Sequence, residues 1–160
     1  MKSPRFTSLV ALVAVMAAGA LAAAPAAAED LVSLKGDVKV ERKVASDGAV
    51  KTVLSEPTEV VPGDRLRFAT DYSNDSASAV DNFVVTNPLP AAVTLAADDK
   101  AFEVSVDGGK TFGRLADFTV KDAAAGDRQA ALADVTHLRW TLARLAPGAS
   151  GSLSYYAIVR

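Results

Sequence analysis

Beyond residue 30 the apolar residues of this chain recur at every second position, and glycine or proline interrupts the pattern every few residues. Val38, Val40 and Val44 alternate with Asp37, Lys39, Glu41 and Lys43. Leu66 and Phe68 alternate with Arg65 and Arg67, and Leu138, Trp140 and Leu142 with His137, Arg139 and Thr141. A period of two belongs to a strand with one buried face, not to a helix. Phe83-Val84-Val85 and Tyr155 to Val159 are continuously apolar, which predicts strands covered on both faces or central in a sheet.

The interruptions have turn chemistry. Ser46-Asp47-Gly48 joins the first strand to Lys51–Leu54. Val61-Pro62-Gly63-Asp64 suits a type II turn. Ser73-Asn74-Asp75-Ser76 is a polar loop, and Asn87-Pro88-Leu89-Pro90 stops a strand because proline donates nothing to a ladder. Asp107-Gly108-Gly109 closes a hairpin between Phe102–Val106 and Lys110–Phe112, and Ala146-Pro147-Gly148 leads into the last strand. Asp122 to Val135 is the one helical candidate. Gly126 interrupts it and its apolar face is thin, which predicts a loop with one helical turn. Short strands at this spacing predict an all-β sandwich.

The first 28 residues stand outside that pattern. Lys2 and Arg5 precede an apolar run from Leu9 to Leu21, and Ala26-Ala27-Ala28 precedes Glu29. That layout predicts a cleaved signal peptide over 1–28 and a single domain over 29–160, which is 160 less 28, or 132 residues. Gly19, Pro25 and the alanines make the run a poor permanent span, so the mature chain is expected to have no integral membrane span. Without Lys2 and Arg5 the formal charge moves from −2 to −4, 15 basic residues against 19 acidic ones. Nucleic acid is not expected as a partner. Export with no cysteine implies a core large enough to stand without disulfides.

The chemistry is thin. Without cysteine, and with both methionines in the leader, no sulfur ligand remains. His137 is the only histidine, and its alternation with Leu138 turns it to solvent, away from any triad. Asp98-Asp99 sits in a polar turn, and Asp71 with Asp75 has no apolar pocket to raise a carboxyl pKa. Asp75, Asp81 and Asn82 flank a loop, but no calcium-binding loop pattern occurs. No phosphate-cradling glycine motif is present. The expectation is a non-catalytic protein without cofactor or metal.

From Val60 to Leu95 the parts Pro62-Gly63-Asp64, Leu66 to Tyr72, Asn74, Val80 to Thr86 and Leu89-Pro90 follow one another in order. Leu138-Arg139-Trp140, Pro147-Gly148 and Leu153 to Val159 close the chain. In this it resembles the conserved repeat domain of bacterial surface proteins, domain-of-unknown-function family eleven. The resemblance implies an immunoglobulin-like sandwich of about seven to nine strands at the cell envelope. That family commonly occurs as tandem copies and this chain carries one, so the expectation is a small free periplasmic or extracellular protein. Ser105-Val106-Asp107-Gly108-Gly109-Lys110-Thr111-Phe112 is similar to the Asp-box of sialidase-like propellers, where the aspartate braces a hairpin. A propeller needs several four-stranded blades, for which this chain is too short.

Trp140 shares its face with Leu138 and Leu142 and is expected at the centre of the core. Pro62, Gly63, Asp64, Pro147 and Gly148 are expected as structural turn residues. Tyr156 and Ile158 are the candidate interaction surface, an apolar stripe on the terminal strand. Leu31–Leu54 is the candidate adaptable edge for strand addition. The leading expectation is a structural or protein-interaction module whose partner is another envelope or surface protein; an unpaired terminal strand leaves room for a homodimer. The alternative is small-ligand or glycan binding through loops at Asn74, Asp81 and Asp107.

Overall fold

A computed structural model of the chain describes residues 32–46, 48–122 and 126–160. The leader assigned to 1–28, Asp47 of the first turn and the alanines at 123–125 lie outside the described residues. The described residues form ten strands, in chain order β1 (Val32–Ser46), β2 (Ala49–Ser55), β3 (Arg65–Asn74), β4 (Val80–Pro88), β5 (Val93–Leu95), β6 (Glu103–Ser105), β7 (Thr119–Asp122), β8 (Gly126–Gln129), β9 (His137–Leu145) and β10 (Ser150–Val159). Two single 3-10 turns, Leu115–Asp117 and Leu132–Asp134, complete them, with no α-helix among the described residues. The class is all-β, as the period of two predicts.

Three sheets result. The largest has the order β2-β1-β3-β10-β5, the second β4-β9-β6, and β7 and β8 make a separate hairpin. The strand pairs within them are antiparallel. Register aligns the apolar rows across the large sheet. Val40 opposes Leu66, Leu66 opposes Ala157 and Ala157 opposes Leu95, so one row crosses four strands. The next row is Val38, Phe68 and Tyr155. Val85, Val104, Leu138 and Trp140 from the second sheet join both rows in one hydrophobic core. Trp140 sits inside it, edge-on to Phe102 at 5.5 Å and 6.2 Å from the Tyr155 ring. Phe68 stacks on Tyr155 at 4.9 Å, nearly parallel. Such aromatic packing adds to the apolar area each ring removes from water.

The turn readings hold at their key residues. Asp64 N–H donates to Val61 O at 3.0 Å, and Gly63 has a φ of 93°, the positive value that a type II turn demands of its third residue. Ala149 N–H donates to Ala146 O at 3.0 Å across Pro147-Gly148, and Gly148 has a φ of 70°. β4 ends at Pro88.

Several expectations need correction. There are ten described strands, not seven to nine, because β7 and β8 form a hairpin where a loop was expected. Their residues are mostly polar, so no apolar alternation announces them. Val84 is 49 % exposed, so β4 is not covered on both faces: Phe83 and Val85 face the core, and Val84 shares the outer face with exposed Thr141. The segment Lys110–Phe112 is no strand, and only an isolated bridge, Val104 to Gly113, continues the pairing there. The terminal strand is not unpaired. β10 lies between β3 and β5, where non-local pairing holds it on both sides.

Candidate functional site

β1 changes partners halfway along its length. From Val32 to Val40 it pairs with β3; from Val40 to Ser46 it pairs with β2, and only Val40 belongs to both ladders. β3 begins at Arg65, which pairs ionically with Glu41, so the second half of β1 overshoots it. Residues 41–46 and 48–55 therefore form a two-stranded ribbon that runs about 20 Å past the end of β3. Val50 is 71 % exposed, Leu54 44 %, Val44 41 % and Val53 38 %. Val60 and Val61, in the loop at its base, are also exposed. Outside this region the only exposed large hydrophobics among the described residues are Leu34 and Val84. The chain buries its apolar side chains elsewhere and displays them here. Among the described residues the outer edge of β2 is unpaired, the arrangement that invites an added strand.

Ionic and aromatic contacts hold the base of the ribbon. Arg42 donates from Nη1 to Asp64 Oδ1 at 2.7 Å and from Nη2 to Glu59 O at 2.7 Å. Asp64 Oδ2 accepts from Val61 N–H at 3.0 Å, so one carboxylate closes its own turn and grips the ribbon. Those bonds, the Val61 amide first and then Arg42, hold the Asp64 carboxyl below its ordinary pKa. On the other face Arg65 pairs with Glu41 at 3.6 Å and lies over the Tyr156 ring at 4.1 Å. Lys39 bonds Glu56, which raises its pKa.

The structure thus brings Asp64 and Tyr156 to the ribbon's base, a junction that sequence reasoning did not assemble. The available sequence signal was Arg42, a charged residue in the core phase between Val40 and Val44. Tyr156 and Ile158 themselves are half-buried, and the guanidinium of Arg65 covers the tyrosine. They do not form an exposed apolar stripe, because β10 is interior.

The loop residues divide between the two ends of the fold. Asp81 opposes Arg144 near the end of β9, and Ser105, two residues before Asp107, opposes His137 at its start. Asn74 is fully buried at the Asp81 end. Its Nδ2 donates to Ser78 O, Leu145 O and Ala146 O at 2.8, 3.0 and 3.1 Å, and its Oδ1 accepts from Ser76 N–H and Oγ. It staples the β3–β4 loop to the Pro147-Gly148 turn, with no atom left over for a ligand. Asp81 is exposed and pairs with Arg144 at 3.2 Å.

Asp107 is fully engaged by its own hairpin. Oδ1 accepts from Ser105 Oγ at 2.7 Å and from the Lys110 and Thr111 amides at 3.0 Å, while Oδ2 accepts from Thr111 Oγ1 at 2.7 Å. Those donors, Thr111 first, hold its carboxyl far below the ordinary range. Beneath it Thr136 Oγ1 donates to Ser105 O and accepts from Gly108 N–H, both at 3.1 Å. With that proton committed, His137 Nδ1 is assigned as donor to Thr136 Oγ1 at 3.1 Å. The histidine ring lies against Gly109, where a Cβ would meet it at 3.3 Å. His137 is half-buried under this turn rather than open to solvent. Asn74 and Asp81 on one side and Asp107 on the other share no loop surface.

Among the described residues no group of three or more His, Cys, Asp or Glu side chains is placed to hold a metal ion. No helix among them is long and apolar enough to cross a membrane. No family model matches the chain, and no curated protein or solved structure matches it.

Proposed function

We propose that the chain is an exported, non-catalytic protein of the bacterial cell envelope, a structural or protein-interaction module that docks by strand addition at the outer edge of β2. One observation carries the reading: the projecting ribbon displays Val44, Val50, Val53 and Leu54 beside a sheet edge that no described residue pairs with, while the body buries its own apolar rows. A two-stranded ribbon is marginal alone, and an added strand gives it a third member.

Two finer points belong to this reading. One is that residues 29–160 form a single immunoglobulin-like domain of the conserved-repeat type. The common core of two antiparallel sheets and the formed Pro62-Gly63-Asp64 and Pro147-Gly148 turns support it. Its strand order departs from the constant-type immunoglobulin order in that its last two strands, β9 and β10, lie in different sheets. The other is export through the leader over 1–28, which rests on its basic, apolar and small-residue succession.

A photo-crosslinking residue placed at position 50, and at position 81 as reference, tests the docking surface in cells that make the protein. Crosslinked products at 50 that are missing at 81 are expected. No product at 50, or the same products at both positions, overturns the reading. Export is tested by fractionation and terminal sequencing. A mature protein beginning at Glu29 outside the cytoplasm is expected, and an intact chain retained inside overturns it.

A further inference from the structure

We propose that the occupant of the β2 edge is a second copy of this chain, joined antiparallel about a twofold axis at Thr52. The inference rests on the reading of β2 as the docking edge and specifies its partner. A twofold axis normal to the sheet leaves the same face of each copy upward, so a residue opposes one of its own parity. Within Ala49–Ser55 that leaves three central registers. Centring on Lys51 sets two ammonium groups against each other, which like charges directly opposite disfavour. Centring on Val53 sets Val50 against Glu56, which lies beyond the end of β2 and is bonded to Lys39. Centring on Thr52 sets Thr52 against Thr52, Lys51 against Val53, Val50 against Leu54 and Ala49 against Ser55. No charge then faces a charge, and the central pair is two threonines, a favourable cross-strand pair.

The intrachain register extends the match. Ala45 opposes Val50 and Glu41 opposes Leu54 within one ribbon. In the Thr52 register the dimer's sheet runs β1-β2-β2-β1, with rows Ala45, Val50, Leu54, Glu41 and their symmetry mates. Val50 and Leu54, both exposed in the single chain, then cover each other as two apolar cross-strand pairs, one on either side of the central threonines. Two marginal ribbons become a four-stranded antiparallel sheet, the size at which such sheets begin to stand by themselves. Each ribbon stays anchored to its own body by Arg42 on Asp64.

The test uses the purified protein and single-cysteine variants, since the chain has no cysteine of its own. Opposed residues in an antiparallel pair lie within disulfide reach. Under mild oxidation Thr52→Cys is expected to crosslink into dimers faster than Lys51→Cys, Val53→Cys or Asp81→Cys. Sedimentation of the unmodified protein is expected to show a concentration-dependent dimer. Val50→Lys is expected to raise its dissociation constant at least about tenfold, with the near-ultraviolet signal of the Trp140 core unchanged. A monomer at every concentration overturns the proposal. A dimer in which position 51 or 53 crosslinks faster than 52 overturns it as well. Crosslinking at position 50 to a different protein, with a monomer in sedimentation, removes self-pairing but leaves the docking edge standing; absence of any crosslink at 50 removes both.

Discussion

The two halves of β1 carry valines of one phase that meet opposite fates. In the first, Val38 and Val40 point into the core, with Leu66 and Phe68 beside them on β3. In the second, Val44 keeps the same phase and is 41 % exposed. Arg42, in phase between Val40 and Val44, breaks the apolar row where the halves meet, yet the two sides keep a valine in the same phase. What differs is coverage: β3 flanks the first half and the second sheet lies over its face, whereas β2 alone flanks the second. Alternation selects which side chains share a face, and the pairing of distant strands decides whether that face is covered. A strand that outruns its cover becomes a surface for something else.

The strongest way to test this contrast is to remove one apolar side chain from each region. Trp140→Ala, in the body, is expected to cost about 3–5 kcal/mol, since Phe102 and Tyr155 lose a packed partner and a cavity remains. Val44→Ala, in the ribbon, is expected to stay within about 0.5 kcal/mol. Urea unfolding followed by far-ultraviolet circular dichroism measures both. A ribbon substitution as costly as the core one would mean that the ribbon is packed against something in solution.

A smaller loss is expected at Asn74, because its role is polar satisfaction rather than volume. Asn74→Ala leaves the carbonyls of Ser78, Leu145 and Ala146 without that donor in a buried loop junction. About 1–3 kcal/mol should go, and the β3–β4 loop should exchange its amides faster. An unchanged unfolding midpoint would show that water replaces the amide fully.

The pH limits should separate the regions too. Burial pushes the Tyr155 phenol up to about 12. A raised folded pKa favours the neutral form, so this stability is whole below the ordinary phenol range and is lost as pH rises through the folded value. The body is therefore expected to unfold cooperatively in strong alkali, with Tyr155→Phe shifting the onset upward. Global unfolding at the same alkaline pH in both proteins would assign the limit to another group.

What was legible in the sequence follows the same division. The faces of β3 and β9, the place of Trp140 and the two Pro-Gly turns follow from residue type and local geometry. The interior position of β10 follows from its continuous apolar run, whereas the edge position of β4, whose run is similar, does not, because it depends on which distant strands pair. Val84 departs from expectation because it points away from the core between Phe83 and Val85, and Tyr156 because Arg65 lies over its ring. Asn74 was recognised as a loop residue, but its bonds reach Leu145 and Ala146, about 70 residues away in the chain, and no local pattern carries that. At Asp107 the whole hydrogen-bonded set lies within Ser105 to Thr111, and the local motif foretold it.

The finest test separates the ribbon from its anchor. Arg42 is a part-exposed cation with two acceptors, and surface ion pairs contribute little to global stability. Arg42→Ala is therefore expected to leave the urea midpoint nearly unchanged, while amide exchange across 41–55 accelerates and the core of β3 and β10 keeps its protection. Acid should reproduce the effect. The Asp64 carboxyl has a lowered pKa, so its hold on Arg42 is complete above the ordinary carboxylate range and is lost as pH falls through the folded value. Asp64→Asn should make ribbon exchange fast at neutral pH and flatten that acid dependence. If ribbon and body instead lose protection together in every variant, the two halves of β1 form one cooperative unit, and the overshoot is held by the large sheet rather than by its anchor.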